Sequence, residues 1–169
     1  VVFAAGEANG FVKTEGRVMC GFVGFFGDFS EELLRRMNER IQHRGPDDTG
    51  IYYQAEEHVG LGHQRLAILD LSELGHQPMF TDDKRVVIVF NGEIYNFRQL
   101  RRSLEQDGYA FRGHSDTEVL LQLYCRDGEK MLAQLNGIYA FAIWDRTKRK
   151  MLLARDGVGV KPLYYTKTK

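Results

Sequence analysis

"RVMCGFVGFF", residues 17–26, sets a cysteine directly behind a methionine and at the head of a glycine-punctuated apolar run. A short apolar run of this kind reads as a buried strand. Cys20 therefore stands at a strand entrance, and two readings follow. As an ordinary internal residue it is a small buried thiol. If Met19 is a start that is removed, Cys20 carries a thiol and a free α-amine on one residue, a nucleophile beside its own base.

The bulk composition narrows the field. A chain of 169 residues with 43% hydrophobic and 12% aromatic side chains suits one folded domain with a real core. Its 23 basic and 23 acidic residues balance, which speaks against a polybasic nucleic-acid or membrane surface. Arg35-Arg36 and Arg101-Arg102 fall in helical patterns and read as solvated faces. Of the two cysteines, Cys125 lies in "EVLLQLYCRDG" (118–128) and reads as a small core residue. One Cys20–Cys125 bridge would not make a disulfide framework. The opening "VVFAAGEANGFVKTEGRV" (1–18) has no basic n-region and is interrupted by Gly6, Glu7, Asn9 and Gly10. It is neither a signal peptide nor a membrane span, and the chain reads as cytoplasmic and reduced. Residues 1–18 read as an N-terminal extension (propeptide, upstream read-in or expression artefact) ahead of a domain at 19–169.

Strand-like and helix-like stretches then alternate. "CGFVGFF" (20–26), "HVGLGHQRLAIL" (58–69) and "RVVIVFN" (85–91) read as strands, and "GIYAFAIWD" with "KMLLARD" as a hairpin turning at 145–148. "SEELLRRMNERIQ" (30–42), "NFRQLRRSLEQDG" (96–108) and "SDTEVLLQLYCRDG" (115–128) read as helices. Asn96 is the expected N-cap of the second, with Gly108 its stop, and Ser115 with Glu118 forms a capping box for the third. The three prolines, Pro46, Pro78 and Pro162, fall at expected element boundaries. Antiparallel pairs at both ends with helices between imply a layered α+β fold.

Four stretches stand out together with Cys20: "QHRGPDDTG" (42–50), "GHQRLAILDLS" (62–72), "FNGEIYN" (90–96) and "SDTEVLL" (115–121). In this order they resemble the glutaminase domain of class II glutamine amidotransferases, which are N-terminal-nucleophile hydrolases. The glutamine-hydrolysing asparagine synthetase branch is the most similar. "LNGIYAFAIWD" (135–145) and "LARDGVGVKPLYY" (153–165) continue the resemblance, which runs from 19 to 165. Each motif alone is weakly specific; their shared order behind one cysteine is not. The family carries a bulky residue and a basic one where this chain has Gly157 and Val158.

The resemblance implies a four-layer αββα fold and hydrolysis of L-glutamine to glutamate and ammonia through a Cys20 thioester. The chemistry agrees with the residue types. A thiol with a reference pKa of about 8.5 next to an α-amine of about 8 can pass its proton near neutrality. By the same resemblance, the Asn91 side-chain amide and the Gly92 N–H form the oxyanion site, though Asn-Gly is also a common turn pair. Arg65 would take the glutamine α-carboxylate in a forked contact. Asp116 would take the α-ammonium, with the helix dipole helping to keep it ionised. Backbone groups of Leu66, Ala67, Ile68 and Leu69, together with Glu93, would line the pocket.

The partners implied are L-glutamine and a synthetase domain or subunit that accepts ammonia. Neither nucleic acid nor membrane is expected, and homodimerisation is left open. No cofactor is expected in this domain; ATP and Mg belong to the synthetase domain, absent from this sequence. The histidines His43, His58, His63, His76 and His114 show no metal-ligand spacing, so no metal is expected. A papain-like pair with His63 or His114 as base is the mechanistic rival. "GVGVK" lacks the spacing of a phosphate-cradling loop, and "HRGPDD" reads as a structural turn. The alternatives are another class II amidotransferase, or a non-catalytic partner-binding module if Cys20 is not N-terminal.

Overall fold

The computed structural model describes residues 1–6, 20–66 and 75–167. Two antiparallel sheets carry the fold. The first is five-stranded in the order β3-β4-β2-β1-β9, built from β1 (Val2–Ala5), β2 (Gly21–Phe26), β3 (Asp48–Gln54), β4 (Val59–Arg65) and β9 (Leu163–Thr166). The second is four-stranded, β5-β6-β7-β8, built from β5 (Met79–Phe80), β6 (Val86–Ile94), β7 (Gly137–Asp145) and β8 (Lys150–Arg155). Helices α1 (Glu31–Arg40), α2 (Phe97–Gln106) and α3 (Asp116–Asp127) complete it.

The period-2 alternation of each strand sorts its apolar side chains onto two faces, which gives three cores. Val23, Phe25 and Leu34 bury the outer face of the first sheet against α1. Phe3, Phe22, Leu61, Val87, Val89 and Trp144 fill the space between the sheets. Ile88, Phe90, Phe141 and Ile143 meet Leu104, Leu120 and Leu121 of α2 and α3 on the far side. The layers are therefore α, β, β, α, as the resemblance implies. α1 approaches closely because β4 offers glycine: a Cβ on Gly62 would lie 2.9 Å from Asn38, and one on Gly60 3.0 Å from Leu34.

The helix caps follow the sequence with two exceptions. Ser30 accepts from the Leu33 N–H, and Ser115 from the Glu118 N–H at 3.2 Å. Asn96 occupies its N-cap position without capping. Its amide instead donates to the Gln134 carbonyl and accepts from the Asn136 N–H, tying α2 to the start of β7. Glu118 does not close a capping box either, because its carboxylate accepts the Arg112 and Gly113 N–H groups. Asn91-Gly92 is no turn: β6 runs through both, pairing them with Ala140 and Tyr139. Cys20 and Cys125 are both free thiols, and Cys125 is half-buried at the edge of the helix-side core.

Residues 2–5 of the expected extension form a strand hydrogen-bonded on both sides, to β2 and to β9. Phe3 is 2% exposed and its ring fills the space over Gly24, where a Cβ would come within 2.6 Å of it. At the end of the sandwich holding the β3–β4 and β7–β8 turns, Glu57 accepts from Tyr52, Trp144 and Arg146. Burial pushes its carboxyl up, but the Trp144, Arg146 and Tyr52 donors outweigh burial and hold it below the ordinary value.

Truncating Phe3 in this setting removes a fully buried ring. Phe3→Ala is expected to cost about 3–5 kcal/mol of unfolding free energy, and Val158→Ala on an exposed loop less than about 0.5 kcal/mol. Urea denaturation measures both; equal midpoints for Phe3→Ala and the parent would show that β1 is not part of the folded sheet.

Candidate functional site

The site lies where the inter-sheet rows of apolar side chains turn polar. On β4 the inward row runs Val59, Leu61, His63 and then Arg65. On β2, Phe22 and Gly24 face inward, so Cys20 continues that row at the strand entrance. On β6 the row is Val87, Val89, Asn91, Glu93. Pairing of Gly21 with Gln64 and Phe22 with His63 brings Cys20 level with Arg65 on the neighbouring strand.

Hydrogen bonds lock the components together. The Leu66 N–H donates to the Cys20 Sγ at 3.3 Å, and the thiol faces the Leu66 carbonyl at 3.8 Å, so the backbone of Leu66 fixes where the sulfur sits. Beyond the short β5, the Phe90 backbone on β6 has no strand partner on that side. Its N–H donates to the Gln77 side-chain oxygen at 2.7 Å, and its carbonyl faces His63 Nε2 at 3.2 Å. The carbonyl can only accept, so Nε2 carries the proton. His63 thus ties the two sheets together directly beside Asn91. Gln77 also reaches Thr117 in the first turn of α3.

Asn91 is 3% exposed, and its Nδ2 has no hydrogen-bond partner among the described residues. Leaving such a buried donor unmade costs about 1–3 kcal/mol, so Asn91 is a preformed donor without an acceptor. Gly92 is required beside it, because a Cβ there would collide with the Ile138 carbonyl of β7. Glu93 is exposed at the strand's end. Asp116, half-buried at the start of α3, accepts from the Ile94 N–H at 3.0 Å. Burial raises its carboxyl above the ordinary value, outweighing the Ile94 and Thr117 N–H donors. The N–H groups of the helix's first turn favour the charged form, as its place at the N-terminus implies, but burial counts for more.

Arg65 anchors a tight corner. Pro46 bridges to it, its carbonyl accepts from the Asp47 N–H, and its guanidinium packs where a Cβ on Gly75 would stand. Ala67, Ile68 and Leu69 of the expected pocket, and Met19, lie outside the described residues.

The histidine rival loses ground. His63 is 1% exposed, and desolvation, the largest influence on it, lowers its pKa to about 4. It is a neutral imidazole with Nε2–H already given to Phe90, while His114 is exposed on the loop before α3. No group of His, Cys, Asp and Glu able to hold a metal occurs among the described residues, and no helix is long and apolar enough to cross a membrane. A cleft of about 840 Å³ opens elsewhere, along the β8 and β9 edges. None of the expected site residues lines it.

Two residues at this end escaped the sequence reading. Arg44, 8% exposed, lies against Gly21 and Gly6 on the outer face of the first sheet. Lys161, 6% exposed, lies two residues before β9, its backbone N–H held by the Asp156 carboxylate at 3.1 Å.

The fold and this arrangement define a class. Residues 19–169 match the family model of the glutamine amidotransferase domain, and the chain belongs to that family. It is 47% identical over 155 residues to asparagine synthetase [glutamine-hydrolyzing] 1 of Bacillus subtilis, covering 88% of this chain and 24% of that protein. It is 43% identical over 166 residues to putative asparagine synthetase [glutamine-hydrolyzing] 2 of Methanocaldococcus jannaschii, covering 87% and 32%. Amidase chry2 of Gibberella zeae shares 40% identity over 135 residues, covering 80% of this chain and 20% of that protein. The chain thus spans a third or less of each relative's length. The fold matches glutamine phosphoribosylpyrophosphate amidotransferase from B. subtilis with a TM-score of 0.66 at 24% identity, covering 80% of this chain and 36% of that one.

The depressed His63 pKa has a pH consequence. The unfolded chain takes up a proton near the ordinary value of 6.5, and the native state only near 4. Stability should therefore be full at neutral pH and fall by about 3 kcal/mol between about pH 7 and pH 4. Urea midpoints across that window should show the loss, and His63→Gln should lack this component. Parallel pH profiles for the two proteins would refute the assignment.

Proposed function

We propose that this domain hydrolyses L-glutamine to glutamate and ammonia with Cys20 as nucleophile. The observation that carries the reading is the buried Asn91 Nδ2, a donor without an acceptor, on the inward row facing the sheet that presents Cys20. In this reading the thiolate attacks the side-chain carbonyl carbon, and the oxygen's negative charge meets Asn91 Nδ2 and the Gly92 N–H. Each such donor is worth about 2.7–4 kcal/mol of barrier. The α-amine of Cys20 takes the thiol proton and delivers it to the leaving ammonia. Water then cleaves the thioester.

Arg65 holds the substrate carboxylate and Asp116 its ammonium. A cation beside Asp116 favours its ionised form, offsetting the burial that otherwise opposes it. Leu66 and Glu93 line the pocket. In a longer polypeptide, a synthetase domain or subunit uses ATP and Mg to activate the ammonia acceptor, aspartate. The hydrolytic half uses no cofactor. The free thiols support a cytoplasmic setting. The likeness to amidase chry2 keeps a second reading open, the same glutaminase chemistry serving a different acceptor. Glutamine-dependent formation of asparagine by the longer polypeptide separates the two.

Cys20→Ala is expected to abolish ammonia release while glutamine still binds; turnover in a clean preparation of that variant would end the proposal. Arg65→Lys and Asp116→Asn should mainly raise KM, since the head-group charges do not change during reaction. Asn91→Ala should mainly lower kcat, by about a hundredfold or more. Steady-state kinetics showing the reverse pattern would refute the role assignment.

While residue 19 is joined to Cys20, the Cys20 nitrogen is an amide and no base. Removing residues 1–19 would free it but would also take β1 out of the sheet. The two effects separate if the bond is cut in place by a protease whose recognition sequence ends at residue 19. Ammonia release should begin on cutting, and equal activity of cut and uncut protein would exclude the α-amine as base.

A further inference from the structure

The space between the sheets is sealed at one edge and open at the other. At the edge formed by β3 and β5, the Tyr52 ring meets Phe80 with centroids 5.5 Å apart and closes the sandwich. At the opposite edge, β8 and β9 are not paired to each other, and the cleft of about 840 Å³ opens along them. Phe26, which rests on Trp144, is its floor. Strand alternation supplies the walls: Met151 and Leu153 from β8, Leu163 and Tyr165 from β9. Phe26, Met151, Leu153 and Leu163 pack against the inter-sheet core but stay only partly buried, and Tyr165 is 66% exposed. The cleft is the uncovered end of that core.

Both bordering strands also carry unused backbone. Among the described residues β9 pairs only with β1 and β8 only with β7, so each has one edge of N–H and C=O groups with no strand beside it. Such an edge is a template for a further strand. On β9, Tyr164 and Tyr165 are both more than half exposed, and tyrosine offers contact area at a low conformational cost. A hydrocarbon chain in the cleft would cover its walls and leave the strand edges unpaired. An added strand covers the walls and pairs an edge as well.

Charge selects which strand. Arg149, Lys150, Arg155 and Lys167 border the cleft, and no carboxylate does. Lys150 has an ion-pair partner in Glu129; the other three have none among the described residues. Arg155 stands at one end of β8, Arg149 and Lys150 at the other, and Lys167 follows the last residue of β9. The apolar walls therefore lie between cations. A second copy offering the same edge would set these cations against their own kind, whereas carboxylates are drawn to them. We propose that the free edge of β9 takes up an extended segment of a partner protein, apolar at alternate positions and acidic at its ends. Its apolar side chains enter the cleft beside Leu163 and Tyr165. Its carboxylates meet Arg155 at one end and the remaining cations at the other.

The test uses a short fluorescent peptide of alternating valine and threonine with glutamates at both ends, titrated with the protein and followed by anisotropy. Binding should saturate and should weaken at least about tenfold when Arg155→Glu and Lys167→Glu are combined. Both side chains are exposed, so the double variant keeps its fold. A peptide with lysines in place of the glutamates should show the reverse preference, binding the double variant better than the parent. Methylating the peptide's backbone amides should abolish binding, since a strand cannot then pair along β9. No binding at millimolar protein, or equal binding of the methylated peptide, would overturn the inference. So would a concentration-dependent dimer in sedimentation that the double substitution dissolves, because a second copy would then be the occupant. Glutamine takes no part in these measurements, so their outcome is independent of the glutaminase reading.

Discussion

The hydrogen bond from His63 Nε2 to the Phe90 carbonyl fixes how the two sheets face each other. Apolar side chains between sheets permit sliding by small steps, since one methyl contact resembles the next. A buried donor and acceptor do not, because either left alone costs more than most packing contacts return. With His63 and Gln77 capping both backbone groups of Phe90, β6 is held at one height against β4. Asn91, the next residue, then stands opposite the end of β2, where Cys20 sits. The site is a consequence of this registration, with each side chain contributed by the strand's ordinary alternation.

That alternation also explains what was readable in advance. The strands around 21–26, 59–65 and 86–94, the hairpin at 137–155 and all three helices follow from apolar spacing and caps in the sequence. Asn91-Gly92 misleads because the pair is a turn former in isolation. Here nine paired positions along β7 hold it extended, and the missing Cβ of Gly92 serves the close approach to Ile138. Asn96 misleads for a related reason: its position is right, but a neighbouring backbone offers its amide better partners than its own helix does.

Within the candidate site, Cys20, Arg65, Asn91, Gly92 and Asp116 could be singled out in the sequence because each sits in a short motif. Lys161 and Arg44 were not, since their significance comes from pairings between distant segments. "GVGVK" has no local pattern that predicts burial of its lysine; the pairing of β9 with β1 brings that about. The Asp116 case is similar. Its helix position argued for easy ionisation, and burial by tertiary packing reversed the balance. The Gly157 and Val158 departure proves neutral for the core, as Gly157 meets open space and Val158 is 89% exposed.

The place of β1 bears on how the first sheet is assembled. Its neighbours are residues 22–25 on one side and 163–166 on the other, so one of its two edges waits for the last strand of the sequence. Contacts this far apart along a chain carry a large loop-closure cost and form late. During synthesis, β2, β3 and β4 can pair once residue 65 has emerged, whereas the second edge of β1 stays open until β9 is released. The sheet bearing Cys20 is therefore built in two instalments, an early set of strands that positions the thiol and a late strand that covers the open edge of β1.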